Sequence, residues 1–190
     1  MPARNQAALD FLGNRRSRPA KLFTAPVPAR AELEEISDRG AAGARSWQAG
    51  ALAAGGDRKA RLRAAGRSGR GAGARDGEEE KIAKGRGQYD SGQLAVVVIA
   101  SPVEGKVPAV EQLLSAGALC MNIVNAATAA GWGACWLTGW PAHDAQFRAQ
   151  GFGCAPQEIV AGIIHIGTPP ADGPDRPRPE LARVVSWAAA

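Results

Sequence analysis

The chain has 190 residues, of which 45% are hydrophobic, and this is enough for one ordinary globular domain with a buried core. Its formal net charge of +5 arises in residues 37–77, which carry nine Lys/Arg against three Asp/Glu, while the remainder carries 14 basic and 15 acidic residues. The globular part is therefore close to neutral, which argues against nucleic-acid binding there, because phosphate backbones are bound through clustered cations.

Cysteine and histidine usage argues against a metal site. Cys120, Cys135 and Cys154 lack metal or redox spacing, and His143 and His165 are too few to complete a zinc site. We predict buried reduced thiols in a reducing compartment, with His143 on an exposed helix and His165 inside a strand. The beginning of the chain has no apolar signal core, so we expect a cytoplasmic protein.

The uncharged run 113–140 is long enough to raise the question of a membrane span. Asn122, Asn125 and a cluster of glycines within it favour a buried core helix instead. We therefore predict a protein that does not associate with membranes.

The first predicted helix covers Gln6–Leu12 and has apolar residues on one face. The chain then reads NRRSRPAK, which places Arg15, Arg16 and Arg18 around Ser17. One interpretation is a solvated basic helix end, favoured by the helix dipole. The other is an anion site, because arginine forks and a serine hydroxyl donate several charge-assisted hydrogen bonds to a phosphate.

Arg30–Ile36 predicts a second helix, after which the chain changes character. In residues 37–77, Ala, Gly and Arg dominate, and Val, Ile, Phe, Tyr and Met are absent. So few large apolar side chains cannot offset the entropy of ordering. We therefore predict a single domain over residues 1–190 in which 37–77 is an atypical insert, disordered or misfolded. A charged helix and turn are expected over 78–93.

The second half of the chain alternates strands and helices. Leu94–Ser101 and Glu158–Gly167 are apolar on both faces, which predicts two central strands. The remaining predicted elements are a buried helix over Val110–Ala130, a strand over Ala134–Leu137, a loop at Thr138-Gly139, a helix from Pro141 stopped by Gly151 or Gly153, a proline-rich arm, and a closing helix or strand over Leu181–Trp187.

Four segments in this order resemble the FMN-dependent nitroreductase family, in its branch of small NAD(P)H nitroreductases: NRRS, KVPAVEQLLSAGA, GWGACWLTGW, and AGIIHIGTPP with DRPRPE. The resemblance covers residues 5–36 and 78–187. It implies an α+β sandwich with a central mixed sheet flanked by helices. It also implies a homodimer with FMN at the subunit interface.

The resemblance also implies which residues bind the cofactor. Arg15, Arg16 and Ser17 match the family positions that contact the flavin phosphate and the edge of the ring. The other matched positions are Trp136, Leu137 and Thr138 along the flavin, Gly139 keeping the loop tight, Ala126 at a nicotinamide-contacting position, and Arg176 and Arg178 as further phosphate contacts.

The implied activity is a ping-pong oxidoreductase, in which hydride passes from NAD(P)H to FMN and then to a nitroaromatic or quinone-like acceptor. FMN carries this chemistry, so no acid–base pair, nucleophile or metal is required, and we predict none. Trp132, Trp136 and Trp140 are expected to serve core and interface packing rather than electron relay.

Residues 37–77 depart from the family. Relatives have a loop resembling Pro-Asp-His-Gly-Lys-Leu-x-Pro-Trp-Arg, which contacts FMN from the other subunit, followed by a core strand. Moving one nucleotide forward through the codons for Ala44 to Ala54 permits Pro-Asp-His-Gly-Lys-Leu-Glu-Pro-Trp-Arg. Our hypothesis is that this segment is translated out of frame and that the frame is regained near Gly77; the alternative is a true insertion or diverged loop.

The chain as written would then lack a flavin-contacting loop and an edge of its sheet, and we expect weak FMN binding and poor stability. Two further functions remain open at this stage. One is a catalytically impaired relative that binds flavin. The other is a basic nucleic-acid-binding protein acting through 37–77, whose affinity would fall steeply with salt.

Overall fold

A computed structural model describes residues 2–41, 50–53, 92–171 and 177–188. The helices are α1 (Gln6–Asn14), α2 (Arg30–Ala41), α3 (Ala109–Ala129), α4 (Trp140–His143), α5 (Ala145–Phe147) and α6 (Leu181–Val184). The strands are β1 (Gly50–Ala53), β2 (Leu94–Ala100), β3 (Gly133–Leu137) and β4 (Ile159–Gly167). A 3-10 turn covers Ala20–Leu22, and a π-helical turn covers Arg148–Phe152.

The described strands form one sheet in the order β1-β2-β4-β3. The predicted central positions of β2 and β4 are confirmed, and all seven residues of β2 are buried. Every neighbouring pair among these strands is antiparallel, although a mixed sheet was expected. The strands β2 and β3, which α3 connects, run in the same direction but are not neighbours. The strand β4 lies between them and runs the opposite way, so no two neighbouring strands among those described are parallel.

Helices cover both faces of the sheet, so the predicted α+β class is confirmed. Val96, Val98 and Ile164 face α2 and α3 in the larger core. Val97 and Ile163 face the α4–α5 segment in the smaller core. This alternation follows from the two-residue period of a strand.

The long helix α3 confirms the buried helix expected over Val110–Ala130. Its buried residues recur at helical spacing and include Ala116, Cys120, Ile123 and Ala127. Gly131, with φ of 88°, follows the helix. None of the described helices is long and apolar enough to cross a membrane.

Two expectations about the region after Ile36 need correction. The helix α2 continues to Ala41, because Gly40 lets it pack directly against Ile123, where a Cβ would lie 2.7 Å from Cγ1. The expectation that the sheet lacks an edge strand is wrong, because Gly50–Ala53 pairs antiparallel with β2. The rest of the predicted insert and the helix expected over 78–91 lie outside the described residues.

The helix expected from Pro141 is divided in two. The Asp144 side chain accepts a hydrogen bond from the Phe147 amide at 2.6 Å, and this caps a new helical turn after His143. Gly153, at φ of 72°, ends the segment as predicted. The predicted closing element is the short helix α6, whose residues are all exposed.

Candidate functional site

The basic end of α1 contains a buried donor without an acceptor. The Arg15 amide closes the helix by donating to the Phe11 carbonyl at 2.8 Å. Its guanidinium Nη1 is buried and has no hydrogen-bond partner among the described residues. A buried N–H without an acceptor costs about 1–3 kcal/mol, so this geometry favours an acceptor supplied from outside the described chain.

Two more guanidinium groups meet at the Gly13 carbonyl, two residues before Arg15. Arg16 Nη1 donates to the carbonyls of Gly13 at 3.0 Å and Arg15 at 2.9 Å. Arg178 Nη2 donates to the same Gly13 carbonyl, so the C-terminal segment meets the end of α1. Ser17 is exposed beside them, and Arg176 lies outside the described residues. An anion here would offset the repulsion between the cations and accept from several donors at once.

A buried aromatic residue fixes this basic end to the sheet. Phe23 is 2% exposed and forms a cluster with Ala20 and Cys135, against which Leu137 packs. Gly133 provides the space, since a Cβ there would lie 2.6 Å from Phe23 Cε1. The chain six residues after Ser17 is thereby held against β3, the strand that ends at the predicted flavin-facing segment.

Hydrogen bonds secure the same attachment. Thr24 and Thr168 exchange backbone hydrogen bonds of 3.1 and 3.0 Å, and the Thr168 hydroxyl donates to the Pro26 carbonyl at 2.8 Å. The structure therefore holds the segment that follows Arg15–Ser17 against the edge strand β3. Phe23 was missed by sequence reasoning, because nothing local distinguishes it from any apolar loop residue.

The turn after β3 has the shape expected of a close-approach loop. Gly139 has φ of 144° and ψ of −172°, a conformation that is essentially restricted to glycine. Thr138 is exposed, and Leu137 faces the Phe23 cluster. The Trp136 side chain instead packs inward against the α3 core, as the packing prediction expected. Leu137–Gly139 is therefore the part of the predicted segment that can face a ligand.

Ala126 lies on α3. It lines a groove of about 630 Å³ between α1, α2 and α3. The α1 residue in this lining is Phe11, whose carbonyl accepts a hydrogen bond from the Arg15 amide at 2.8 Å, so the groove begins about one helical turn before the basic end of α1. The complete lining is Phe11, Glu32, Glu35, Ile36, Arg39, Asn122, Asn125, Ala126, Ala129 and Ala130.

The groove combines apolar and polar groups. Asn125 Oδ1 is buried and accepts no hydrogen bond from the described part of the chain. Glu32 Oε1 accepts from Trp132 Nε1 at 2.7 Å, which ties α2 to the end of α3. The groove and the basic end of α1 are therefore joined through α1, with Phe11 in the groove and Arg15 one turn further along.

The titratable groups of the core do not suggest acid–base chemistry. Burial lowers the pKa of His165 to about 4 and raises the pKa of the Cys120 thiol to about 12. Burial also raises the pKa of Cys154. The prediction that all three cysteines are buried thiols is confirmed. The described residues contain no group of three or more His, Cys, Asp or Glu that could hold a metal ion.

The fold and these side chains define an α+β sandwich with a basic, glycine-bounded edge suited to an anionic ligand. The chain belongs to the nitroreductase family: the sequence model described as "Nitroreductase family" matches residues 12–168.

Curated relatives match part of the chain. "Putative NAD(P)H nitroreductase YdjA" of Escherichia coli K12 is 34% identical over 93 residues, which are 48% of this chain and 50% of that protein. A "Putative NAD(P)H nitroreductase" of Haemophilus influenzae is 34% identical over 92 residues, or 47% of this chain and 50% of that one. The matched stretch thus spans about half the length of these relatives.

Solved structures match over nearly the whole chain. A nitroreductase-like family protein from Bacillus cereus has a TM-score of 0.76 at 19% identity, covering 99% of this chain and 98% of that one. The FMN and NADPH-dependent nitroreductase NfnB from Sphigopyxis sp. strain HMH has a TM-score of 0.71 at 21% identity, with coverages of 96% and 99%. At these identities the likeness establishes the fold.

Proposed function

We propose that this chain is an FMN-dependent oxidoreductase that passes hydride from NAD(P)H to nitroaromatic or quinone-like acceptors. Membership of the nitroreductase family supports the class of reaction. The observation that carries the cofactor assignment is the buried Arg15 Nη1, which has no acceptor among the described residues. Arg16 and Arg178 add two guanidinium groups at the Gly13 carbonyl of the same helix end. A phosphate monoester supplies both the acceptor oxygens and the negative charge that this edge favours.

The residues at this edge fit FMN by type and position. Arg15, Arg16 and Arg178 would hold the phosphate, and the exposed Ser17 hydroxyl would add a donor. The turn Leu137–Gly139 would lie along the ring, where glycine lets the backbone approach a flat ligand. Arg176 is proposed as a further phosphate contact from its sequence position.

When bound, FMN supplies the redox chemistry, accepting hydride from one substrate and delivering it to the next in a ping-pong cycle. The protein's own residues would bind FMN and orient it. Neither histidine is placed as a proton donor in this scheme, since His143 is exposed on α4 and His165 is buried within β4. The assignment therefore includes no catalytic side chain.

We also propose a homodimer with FMN at the interface. A nicotinamide contact at Ala126 is proposed from its sequence position. A dimer interface would cover apolar side chains that are exposed on α1 and α3 of one protomer: Leu9, Leu12, Leu114 and Met121. Sedimentation of the purified chain tests this, and a monomer at micromolar concentration contradicts it.

The test of the proposed function is a titration of FMN into the purified chain, comparing Arg15→Gln with Arg4→Gln. We expect Arg15→Gln to weaken FMN binding about tenfold or more, because it removes a charge-assisted hydrogen bond. Arg4→Gln makes the same charge change at the exposed opposite end of α1 and should leave affinity within about twofold. Equal losses would show a general charge effect and contradict a specific phosphate contact.

Turnover separates the enzyme from an impaired relative. FMN-dependent oxidation of NAD(P)H that accelerates when a quinone is added supports the enzyme. Stoichiometric FMN binding without that oxidation supports the alternative of a flavin-binding relative that has lost activity. No FMN binding at all contradicts both.

A further inference from the structure

Gly162 lies on β4 at the point where the pairing with both neighbouring strands changes. The β3–β4 register runs from Gly133 opposite Gly167 to Leu137 opposite Ile163, so Gly162 is the first β4 residue beyond the paired stretch, just as Thr138 is the first residue after β3. On the other side of β4 the register with β2 shifts between Val98 and Ile99, which marks a β-bulge beside Gly162. Gly162 therefore borders the end of the pairing at which the turn that we assign to the flavin leaves the sheet.

The Trp136 indole occupies the space that a side chain at Gly162 would fill. A Cβ at Gly162 would lie 2.7 Å from both Trp136 Cδ1 and Cys120 Sγ, and it would overlap Trp136 Nε1. On the α3 side, a Cβ at Gly117 would stand 3.7 Å from Trp136 Cη2, which is an ordinary van der Waals contact. The ring is thus enclosed between β4 and α3.

The backbone of β4 cannot easily move to relieve an overlap, because it is paired with β2 on one edge and with β3 on the other. A methyl group at Gly162 would therefore displace the indole. Trp136 is followed immediately by Leu137, Thr138 and Gly139, so the displacement would reach the turn through the backbone.

We propose that Gly162 is a positioning residue for the flavin-facing turn: its missing side chain lets Trp136 lie flat over β4, and this fixes where Leu137–Gly139 leave the sheet. The inference rests on the proposed function for the identity of the ligand. The packing of Trp136 over Gly162 does not depend on that identity.

The experiment compares Gly162→Ala with Gly117→Ala, which adds the same methyl group on the other side of the same ring. Two readouts are measured: FMN affinity by titration, and amide hydrogen exchange of residues 137–139 in the flavin-free chain. For Gly162→Ala we expect FMN affinity to fall about tenfold, the effect of an overpacking cost at the lower end of its usual range. Exchange at 137–139 should increase. Gly117→Ala should leave both readouts close to those of the parent chain.

A double-mutant cycle with Trp136→Phe tests whether the effect passes through the indole. A smaller ring should relieve the overlap, so the combined variant should bind FMN more tightly than the product of the two single effects predicts. The cycle also provides a second variant if Gly162→Ala folds poorly, because Trp136→Phe alone removes the enclosed indole and should increase exchange at the turn.

Several results would overturn the inference. The first is unchanged FMN affinity together with unchanged hydrogen exchange in Gly162→Ala. The second is strictly additive effects on FMN affinity in the double-mutant cycle. The third is a loss of FMN affinity in Gly117→Ala equal to that in Gly162→Ala. A lower thermal midpoint with neither readout altered would reduce Gly162 to a packing role. If the parent chain binds no FMN, the proposed function fails, whereas the exchange measurement still decides the role of Gly162.

Discussion

At the scale of single residues, His165 is the buried titratable group whose pKa depends most clearly on its place in the fold. It lies on β4 between Ala95 of β2 and Cys135 of β3, and it is 1% exposed. Burial disfavours the imidazolium and lowers the pKa from 6.5 to about 4. The unfolded chain therefore binds more protons than the folded chain between these values, and stability is lost as the pH falls through that window.

We predict that the free energy of unfolding falls by about 2 kcal/mol from this residue between pH 7 and pH 5. Urea denaturation at the two pH values measures the change. His165→Gln should remove most of that difference, because glutamine has no proton to gain. His143→Gln makes the same change at the exposed end of α4 and is the matched control. An identical pH dependence in His165→Gln and the parent chain would contradict the assignment.

At the scale of elements, the segment between α1 and α2 acts as a strap across the edge of the sheet. Phe23 is its anchor, and Gly133 and Gly167 leave room for its side chain, since Cβ atoms there would lie 2.6 Å from Phe23 Cε1 and 2.9 Å from Phe23 Cβ, respectively. Arg15, Arg16 and Ser17 precede this anchor by only a few residues. Their position relative to β3 therefore depends on a buried contact that the local sequence does not reveal.

Phe23→Ala should lower the free energy of unfolding by about 3–5 kcal/mol, the usual cost of emptying a buried phenylalanine site. It should also weaken FMN binding, because the basic end of α1 loses its attachment to β3. Leu22→Ala changes the adjacent exposed residue and should cost less than about 1 kcal/mol. Chemical denaturation and FMN titration of both variants provide the measurements. Retained stability in Phe23→Ala would show that the strap is not held by this ring.

At the scale of the whole molecule, residues 37–77 carry the hypothesis that part of the chain is translated out of frame. The sheet gains the edge strand β1 from Gly50–Ala53, but the loop that we expect from the family resemblance, Pro-Asp-His-Gly-Lys-Leu-x-Pro-Trp-Arg, does not occur in the chain as written. The out-of-frame hypothesis predicts a specific coding DNA, in which the codons for Ala44 to Ala54 permit that loop one nucleotide forward. Resequencing tests it directly, and codons that forbid the shifted translation would end the hypothesis.

A chain in which residues 44–53 are replaced by Pro-Asp-His-Gly-Lys-Leu-Glu-Pro-Trp-Arg provides the functional test. We expect it to bind FMN at least about tenfold more tightly than the chain as written, because it restores a second wall of the site. The same ten residues in shuffled order serve as the control and should bring no gain. Equal FMN affinity in all three chains would contradict the proposed role of the loop.

Much of the fold was predictable from the sequence, because long apolar runs are local signals. Leu94–Ala100, Ala109–Ala129 and Ile159–Gly167 were predicted to within about a residue at each end. The division of the helix after Pro141 was not foreseen, because the Asp144 cap competes with continuation of the helix only through a side-chain hydrogen bond. Parts of the candidate site were predictable by residue type, since arginines beside a serine suit a phosphate and Gly139 suits a tight turn.

The sequence by itself determined which segments are helices and strands, and which residues have the chemistry to hold an anion, because both depend on residue type and short-range periodicity. Only the tertiary structure decided how these pieces meet. It placed β4 between β2 and β3, turned Trp136 inward over Gly162, attached the segment after the basic end of α1 to β3 through Phe23, and placed Ala126 in the groove between α1, α2 and α3. Strand order, register and buried contacts join residues far apart in the chain, so the free energy that fixes them does not reside in any one stretch of sequence.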